Sequence, residues 1–388
     1  MVNTLNDNER KLHDKLQKSL LFYMSLGSKE LFHSNTWAWL MENDPAFARM
    51  FFPDVREDVA LTVTREEQNR DLTIWVNKGM GNEQAYVIEN KFKSIPRLGQ
   101  LVQYENEVGA AFAGGVLTGV KSPTWISDPR ISRWRFIPYT EIANGIRRVV
   151  DASSVLSDFY KSLVNDYCTM IEDMCEVLER FLEPYTETFL TTDKCSVLSD
   201  IRLEDLANKL SAERFADWLR SRPEIADIEN RVRARGLRLF IFTDYLKKHS
   251  IVDVRIVNDE RSEDEIIKDH CGYSQWLLGV QIENDCYSRC VQVGGQTRKA
   301  NRDHWKHDEM FRRFNSLGWL PSKEELTNPK MKKKDYGKYE VNGKYSFVYQ
   351  PEGLMTFSYS ALKDKIVRDM KAACDFIESN DIQRILQA

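Results

Sequence analysis

Three short apolar runs sit close together in the first quarter of the chain: Val59 to Thr64, Asp71-Leu72-Thr73-Ile74-Trp75-Val76, and Ala85-Tyr86-Val87-Ile88. Gln68-Asn69-Arg70 separates the first two, and Lys78-Gly79-Met80-Gly81-Asn82 separates the second two. A parallel crossover takes a dozen or more residues, so links this short confine the runs to an antiparallel meander. Helical patterns flank it. Residues 8–26 repeat Leu12, Leu16, Leu20 and Tyr23 at helical spacing. A second helix is predicted after Ser28, an N-cap residue ahead of Lys29-Glu30-Leu31-Phe32, with Trp37, Trp39, Leu40 and Met41 on it and Asn43-Asp44-Pro45 ending it. Beyond the meander, Pro96 is predicted to open a helix that runs to Ala111 and stops at Gly114-Gly115. Strands Val116 to Val120 and Trp134 to Ile137 follow, then a helix from Tyr139 to Val149. This order predicts an α/β sandwich, helices on a mixed sheet.

Ser153 to Leu182 carries a stripe of Leu156, Tyr160, Leu163, Tyr167, Met170, Met174, Val177 and Phe181, predicting a long helix suited to core packing or to a homodimer interface. A loop around Pro184 and Thr191-Thr192-Asp193 comes next, then two or three helices to about His249. Strand patterns return at Ile251 to Val257, Gln275 to Ile282 and Tyr287 to Val293. A helix at Asp303 to Phe314, a Lys-rich hairpin ending in Tyr345-Ser346-Phe347-Val348-Tyr349 and a final helix from Ser360 complete the chain. A chain of 388 residues exceeds one core. The expected division is a domain over 1–150, a helical connector over 151–250 and an α+β domain over 251–388, the last suited to nucleic-acid recognition or regulation.

With 42% hydrophobic and 29% charged residues the chain has the makeup of a globular protein, not a disordered one. No apolar run approaches the roughly 20 residues of a bilayer helix, and the first ten residues are polar, so no membrane association and a cytoplasmic location are expected. Seven cysteines without a Cys-x-x-Cys pair read as reduced thiols. Cys286 and Cys290 with His270-Cys271 are the zinc alternative, but they fall in a strand-like run and read as core; His304 and His307 read as a solvated helix face. Between Arg298 and Lys344, 13 Lys and Arg stand against 7 Asp and Glu, in a chain whose net charge is −4. Arg298, Lys299, Arg302, Lys306, Arg312, Arg313, Lys332, Lys333 and Lys334 are interleaved there with Trp305, Phe311, Phe314, Trp319, Tyr336 and Tyr339. That composition suits phosphate contacts with base stacking, and equally a solvated surface over core aromatics.

The chemistry concentrates in the meander. Asp71 opens its second run, and Glu89-Asn90-Lys91 closes the third, with Glu89 and Lys91 two apart and so on one face. Charges converging on an apolar sheet are costly unless paired. A divalent cation between Asp71 and Glu89, with the Asn90 carbonyl as third ligand, relieves that cost and forms the oxygen-rich, part-hydrated shell that Mg²⁺ prefers. Such an ion polarises a phosphoryl oxygen, and Lys91 beside it can orient or deprotonate a water: the parts of phosphodiester hydrolysis.

Asp71, an apolar strand, Glu89-Asn90-Lys91, then Gln100 and Tyr104 together resemble the PD-(D/E)XK nuclease superfamily, in the bacterial branch with an Ile-Glu-Asn-Lys strand and a Gln-Leu-x-x-Tyr helix. The likeness covers about residues 28–145, and Arg70 stands where the signature has Pro. It implies a restriction-endonuclease-like core, a mixed sheet flanked by helices, ahead of the C-terminal α+β domain. It implies Asp71 and Glu89 as metal ligands, Lys91 as catalytic lysine, and Glu30 and Glu66 as accessory acids, with Glu67 the alternative to Glu66. Gln100 and Tyr104 match positions that line the site, His33-Ser34-Asn35 and Trp37-Ala38-Trp39-Leu40 resemble the first helix, and Tyr139 the aromatic ahead of the last. The activity so implied is Mg²⁺-dependent cleavage of nucleic acid, DNA before RNA, with Mn²⁺ as substitute, in restriction, phage defence or repair. The alternatives are a nucleic-acid-binding or signalling protein that keeps the fold without activity, and an interaction module.

Overall fold

The computed structural model describes residues 7–16, 18–19, 21–22, 24–25, 30–92, 96–183, 186–192, 196–246, 249–258, 276–283, 286–293, 307–320, 330–334, 338–346, 354–380 and 382. None of its helices is long and apolar enough to cross a membrane. The chain divides into two compact units, one of Thr4–Pro184 with Ser196–Leu206, the other of Tyr185–Cys195 with Ala207–Ala388 and Met1–Asn3.

The first unit is mixed α/β. Strands β1 (Leu61–Glu67), β2 (Arg70–Val76), β3 (Gln84–Lys91), β4 (Phe112–Gly119) and β5 (Trp134–Pro138) form one sheet in sequence order. β1, β2 and β3 pair antiparallel, as their links require; β3, β4 and β5 pair parallel. The β1–β2 link is Gln68-Asn69, with φ of 54° and 64°, the mirror-image turn whose twist matches a hairpin. Helices α1 (Asp7–Leu16), α2 (Glu30–Asn43), α3 (Ala46–Phe51), α4 (Leu98–Val108), α5 (Tyr139–Ala152) and α6 (Asp158–Leu182) flank the sheet. Leu98, Leu101 and Tyr104 of α4 bury against Val87, Leu117 and Trp134. α2 packs on β1, β2 and β3, α5 on β5, α6 on α5, and α1 on α6.

Two expectations change here. Gly114-Gly115 does not end a helix but lies within β4. The helix stops at Gly109, whose φ of 65° makes it the left-handed terminator, while Gly115 is held by the Trp134 ring, 2.3 Å from where a Cβ would stand. The break near residue 150 is also displaced: α6 lies on α5, so the first unit runs on to Pro184. The stripe of α6 is buried from Val164 onward, but Tyr160 and Leu163 are exposed with Phe159.

The second unit is α+β, as expected. Its helices are α8 (Glu204–Arg220), most of which it holds, α9 (Pro223–Arg233), α10 (His307–Ser316) and α11 (Tyr359–Ser379); the short α7 (Ser196–Asp200) belongs to the first unit. Strands β7 (Arg238–Leu246), β8 (His249–Val257), β9 (Trp276–Glu283), β10 (Cys286–Val293), β11 (Lys330–Lys334) and β12 (Lys338–Ser346) form an antiparallel sheet in the order β11-β12-β10-β9-β8-β7. Val252, Val254, Ile256, Leu278, Val280 and Ile282 bury one face against Leu362, Ile366 and Met370 of α11. β6 (Thr188–Thr192), expected as loop, pairs with β13 (Leu354–Ser358), a partner too distant in sequence for local pattern to reveal. The expected helical connector over 151–250 likewise contains β7, in which Leu239 and Ile241 alternate with Phe240 and Phe242 after Gly236 ends the preceding helix at φ 70°.

Candidate active site

Four elements meet at the end of β3. The β2–β3 ladder pairs Leu72 with Ile88, a register that sets Asp71 across from Glu89. The ladder stops there because the next amide, Asn90 N–H, donates to the Asp71 carboxylate (Oδ2, 2.7 Å). In an antiparallel pair the N–H and C=O of one residue point the same way, so the Asn90 carbonyl also turns toward β2 and Asp71. Lys91 Nζ lies 2.6 Å from Glu89 Oε1. From α4, Gln100 Nε2 donates to the same Glu89 oxygen (2.7 Å) and to Tyr104 Oη (2.6 Å), while Tyr104 donates to the Asn69 carbonyl (2.6 Å). One helical face thereby fixes both the glutamate and the hairpin turn.

Successive strand residues face opposite sides, and Asn90 points away from α4. Its amide Nδ2 donates to the Glu30 carbonyl (2.8 Å) and to Ser34 Oγ (3.0 Å) on α2, and its Oδ1 accepts from Tyr139 Oη at the start of α5. Asn90 is fully buried. His33, one residue before Ser34, is buried against Phe92 and Tyr139, with Nδ1 3.0 Å from Tyr167 Oη of α6.

The electrostatics are those of crowded carboxylates. Burial pushes the Asp71 carboxyl up to about 6, Asn90 N–H and Lys91 pulling against it and the charges of Glu30 and Glu66 reinforcing it. Burial raises Glu89 further, to about 8, opposed by Lys91 and reinforced by Asp71 and Glu30. For Lys91, burial alone would lower the ammonium, but the attraction of Glu89, Glu30 and Asp71 outweighs it and holds it above the ordinary lysine value. Burial, with Glu89 next, takes Tyr104 to about 12, so it stays a donor.

Asp71, Glu89, Asn90, Lys91, Gln100 and Tyr104 are thus brought together, and Glu30 couples to the first, second and fourth of them. Glu66, at φ 55°, sits between the pairs Arg65↔Leu72 and Glu67↔Arg70 and acts on Asp71 by its charge. Glu67 faces elsewhere: its Oε2 accepts from Thr64 Oγ1 (2.7 Å) and Trp75 Nε1 (3.1 Å), and Lys78 lies 3.6 Å from its other oxygen. Arg70 is buried, tied to Thr73, Gln68 and Glu107, and so fastens the hairpin to α4.

Among the described residues no three His, Cys, Asp or Glu side chains are grouped to hold a metal. What fits a hard cation is the donor set of Asp71, Glu89 and the Asn90 carbonyl, and above all Glu89 Oε2, a buried oxygen without a hydrogen-bond partner. Cys290 is buried in β10, its Sγ donating to the Gly279 carbonyl at 3.3 Å and accepting from Arg255, which fits the core reading of that thiol. His270 and Cys271 lie outside the described residues, as do Arg298, Lys299, Arg302 and Lys306. Arg312 and Arg313 are on α10, the first exposed and the second half-buried. Lys332, Lys333 and Lys334 are on β11, an edge strand, where the two-residue period puts Lys332 and Lys334 on one face and Lys333 on the other. No protein family, curated protein or solved structure matches the chain.

Proposed function

We propose that this chain is a Mg²⁺-dependent nuclease with a restriction-endonuclease-like, PD-(D/E)XK core, hydrolysing phosphodiester bonds of nucleic acid, DNA before RNA. The observation that carries the reading is the convergence of Asp71, Glu89 and Lys91 at one strand end, with Glu30 adding a further negative charge and Glu89 Oε2 left without a partner. Buried carboxylates in excess of their counter-charge are stabilised by a cation, and oxygen donors select a hard one. Asp71, Glu89 and the Asn90 carbonyl would hold Mg²⁺ or Mn²⁺. The bound ion supplies positive charge to a phosphoryl oxygen and makes water a stronger acid.

The chain's own groups have separable tasks. Lys91, held charged by its carboxylate neighbours, donates hydrogen bonds and stabilises negative charge developing on the phosphoryl group; in that state it orients water instead of deprotonating it. Gln100 fixes the Glu89 carboxylate, and Tyr104 carries Gln100 while anchoring the Asn69 turn. Arg312, Arg313 and the β11 lysines supply phosphate contacts in the second unit, which suits a recognition role.

The test is incubation of the purified protein with single- and double-stranded DNA and RNA in Mg²⁺, Mn²⁺ or EDTA. Cleavage that requires the metal and disappears in Asp71→Ala is the expected result. Salt-dependent binding without cleavage in either metal would identify instead a nucleic-acid-binding protein that keeps the fold.

A further inference from the structure

The side chain of Asn90 does more than occupy the position between Glu89 and Lys91. Its two amide hydrogens go to α2, to the Glu30 carbonyl and to Ser34 Oγ, and its oxygen receives the Tyr139 hydroxyl. A carboxamide with both donors and its acceptor engaged inside a fully buried pocket is a rigid three-way joint. Ser34 in turn donates to the Glu30 carbonyl (3.3 Å), so two groups converge on the same first turn of α2. What that joint holds is the residue whose charge reaches Asp71, Glu89 and Lys91 alike. Glu30 is otherwise far from them in sequence: α2 ends long before β2 begins, and nothing local forces its first turn against the end of β3.

We infer that Asn90 is a positioning residue whose carboxamide, through the Glu30 carbonyl and Ser34, sets the Glu30 carboxylate in the cation site formed with Asp71 and Glu89. The inference rests on the proposed cation site and deepens it: it names Glu30 as a group of that site and Asn90 as the reason it is there. It separates two roles within one residue, the main-chain carbonyl facing β2 and the side chain facing α2.

The test is a double-mutant cycle on Mn²⁺ affinity, read by calorimetric titration of the full chain, with cleavage as a second readout and the thermal midpoint in EDTA as a control. Glu30→Gln and Asn90→Ala are each expected to weaken Mn²⁺ by about tenfold, as loss of a supporting group around a metal typically does. Their combination is expected to be no more than about threefold worse than either alone, because two changes that remove one interaction do not add. A residue that only stabilised the fold would lower the midpoint in EDTA and multiply with Glu30→Gln. Losses that multiply to about a hundredfold, or full Mn²⁺ affinity in Glu30→Gln, would overturn the inference. If Asn90→Ala does not fold, the same cycle with Ser34→Ala decides, its expected loss of about threefold vanishing in the Glu30→Gln background; a loss that persists there overturns the inference. A wild-type chain that binds no Mn²⁺ fails at the earlier step and overturns the proposed function with it, whereas Mn²⁺ binding with additive variants overturns only the role of Asn90.

Discussion

The two units treat buried charge differently. In the second, Arg255 lies 2.6 Å from Asp253 within β8, and Arg289 of β10 lies 2.7 Å from Asp369 of α11, with Asp369 wholly shielded from water. Each buried carboxylate has its own guanidinium. In the first, Lys91 faces Glu89 directly while Asp71 and Glu30 bear on the same spot, so anionic groups outnumber the cationic one, and Asp71 and Glu89 rise to about 6 and about 8. A balanced pair fixes structure, because removing one partner strands the other. An unbalanced cluster costs stability at neutral pH, and clusters of this kind mark sites that something else completes.

The sharpest way to break this comparison is activity. Asp71→Ala and Lys91→Ala are each expected to lower metal-dependent cleavage by about a thousandfold or more while leaving the thermal midpoint near that of the wild type, since groups acting as one unit fail together. Cleavage that survives in both would detach the cluster from chemistry. Next comes the balanced pair: Arg289→Ala leaves Asp369 uncompensated and is expected to cost about 3–5 kcal/mol in denaturant unfolding without changing Mn²⁺ affinity.

Glu89→Gln should move stability in the opposite direction. The folded carboxyl keeps its proton up to about 8 while the ordinary value is 4.5, so the folded state binds more protons between those values and stability falls as pH rises through that window. In EDTA the wild-type midpoint is therefore expected to drop from pH 5 to pH 8, and Glu89→Gln to flatten the drop and gain about 1–3 kcal/mol at pH 8. A wild-type midpoint that rises over this range would contradict the crowding. The smallest effect expected is on the edge strand. Replacing Lys332 and Lys334 together by Ala should flatten the dependence of log affinity on log salt by about two units, and Lys333→Ala, on the other face, should leave it unchanged. An unchanged slope with increased aggregation would mean that these lysines guard an exposed strand edge instead.

Much of the first unit was legible because its determinants are local. Short links around Gln68-Asn69 and Gly79 force antiparallel pairing, and a period of two in Asp71 to Val76 and Ala85 to Ile88 then fixes which residues share a face. Gln100 and Tyr104 were readable as one helical face for the same reason. Where two signals competed, sequence alone chose badly: Gly114-Gly115 reads as a stop, yet Gly109 carries the positive φ, and the need for Gly115 comes from a Trp134 ring two strands' length away in sequence. β6 and β13 were illegible as a pair because neither has a local partner. Clustered lysines between Lys332 and Lys334 read as one patch, which the strand period divides between two faces.

By itself, then, the sequence determined the meander, the charge carried at the end of its third strand, and the separation of a basic stretch from an acidic remainder, all of them properties of neighbouring residues and their period. Only the tertiary structure decided that Asn90 would tie α2 and α5 to that strand end, that Glu30 would add its charge to Asp71 and Glu89, and that Glu67 would turn instead to Thr64 and Trp75. Those are contacts between segments far apart in the chain, settled by burial and by the hydrogen bonds each buried polar group must find, and no local pattern encodes them.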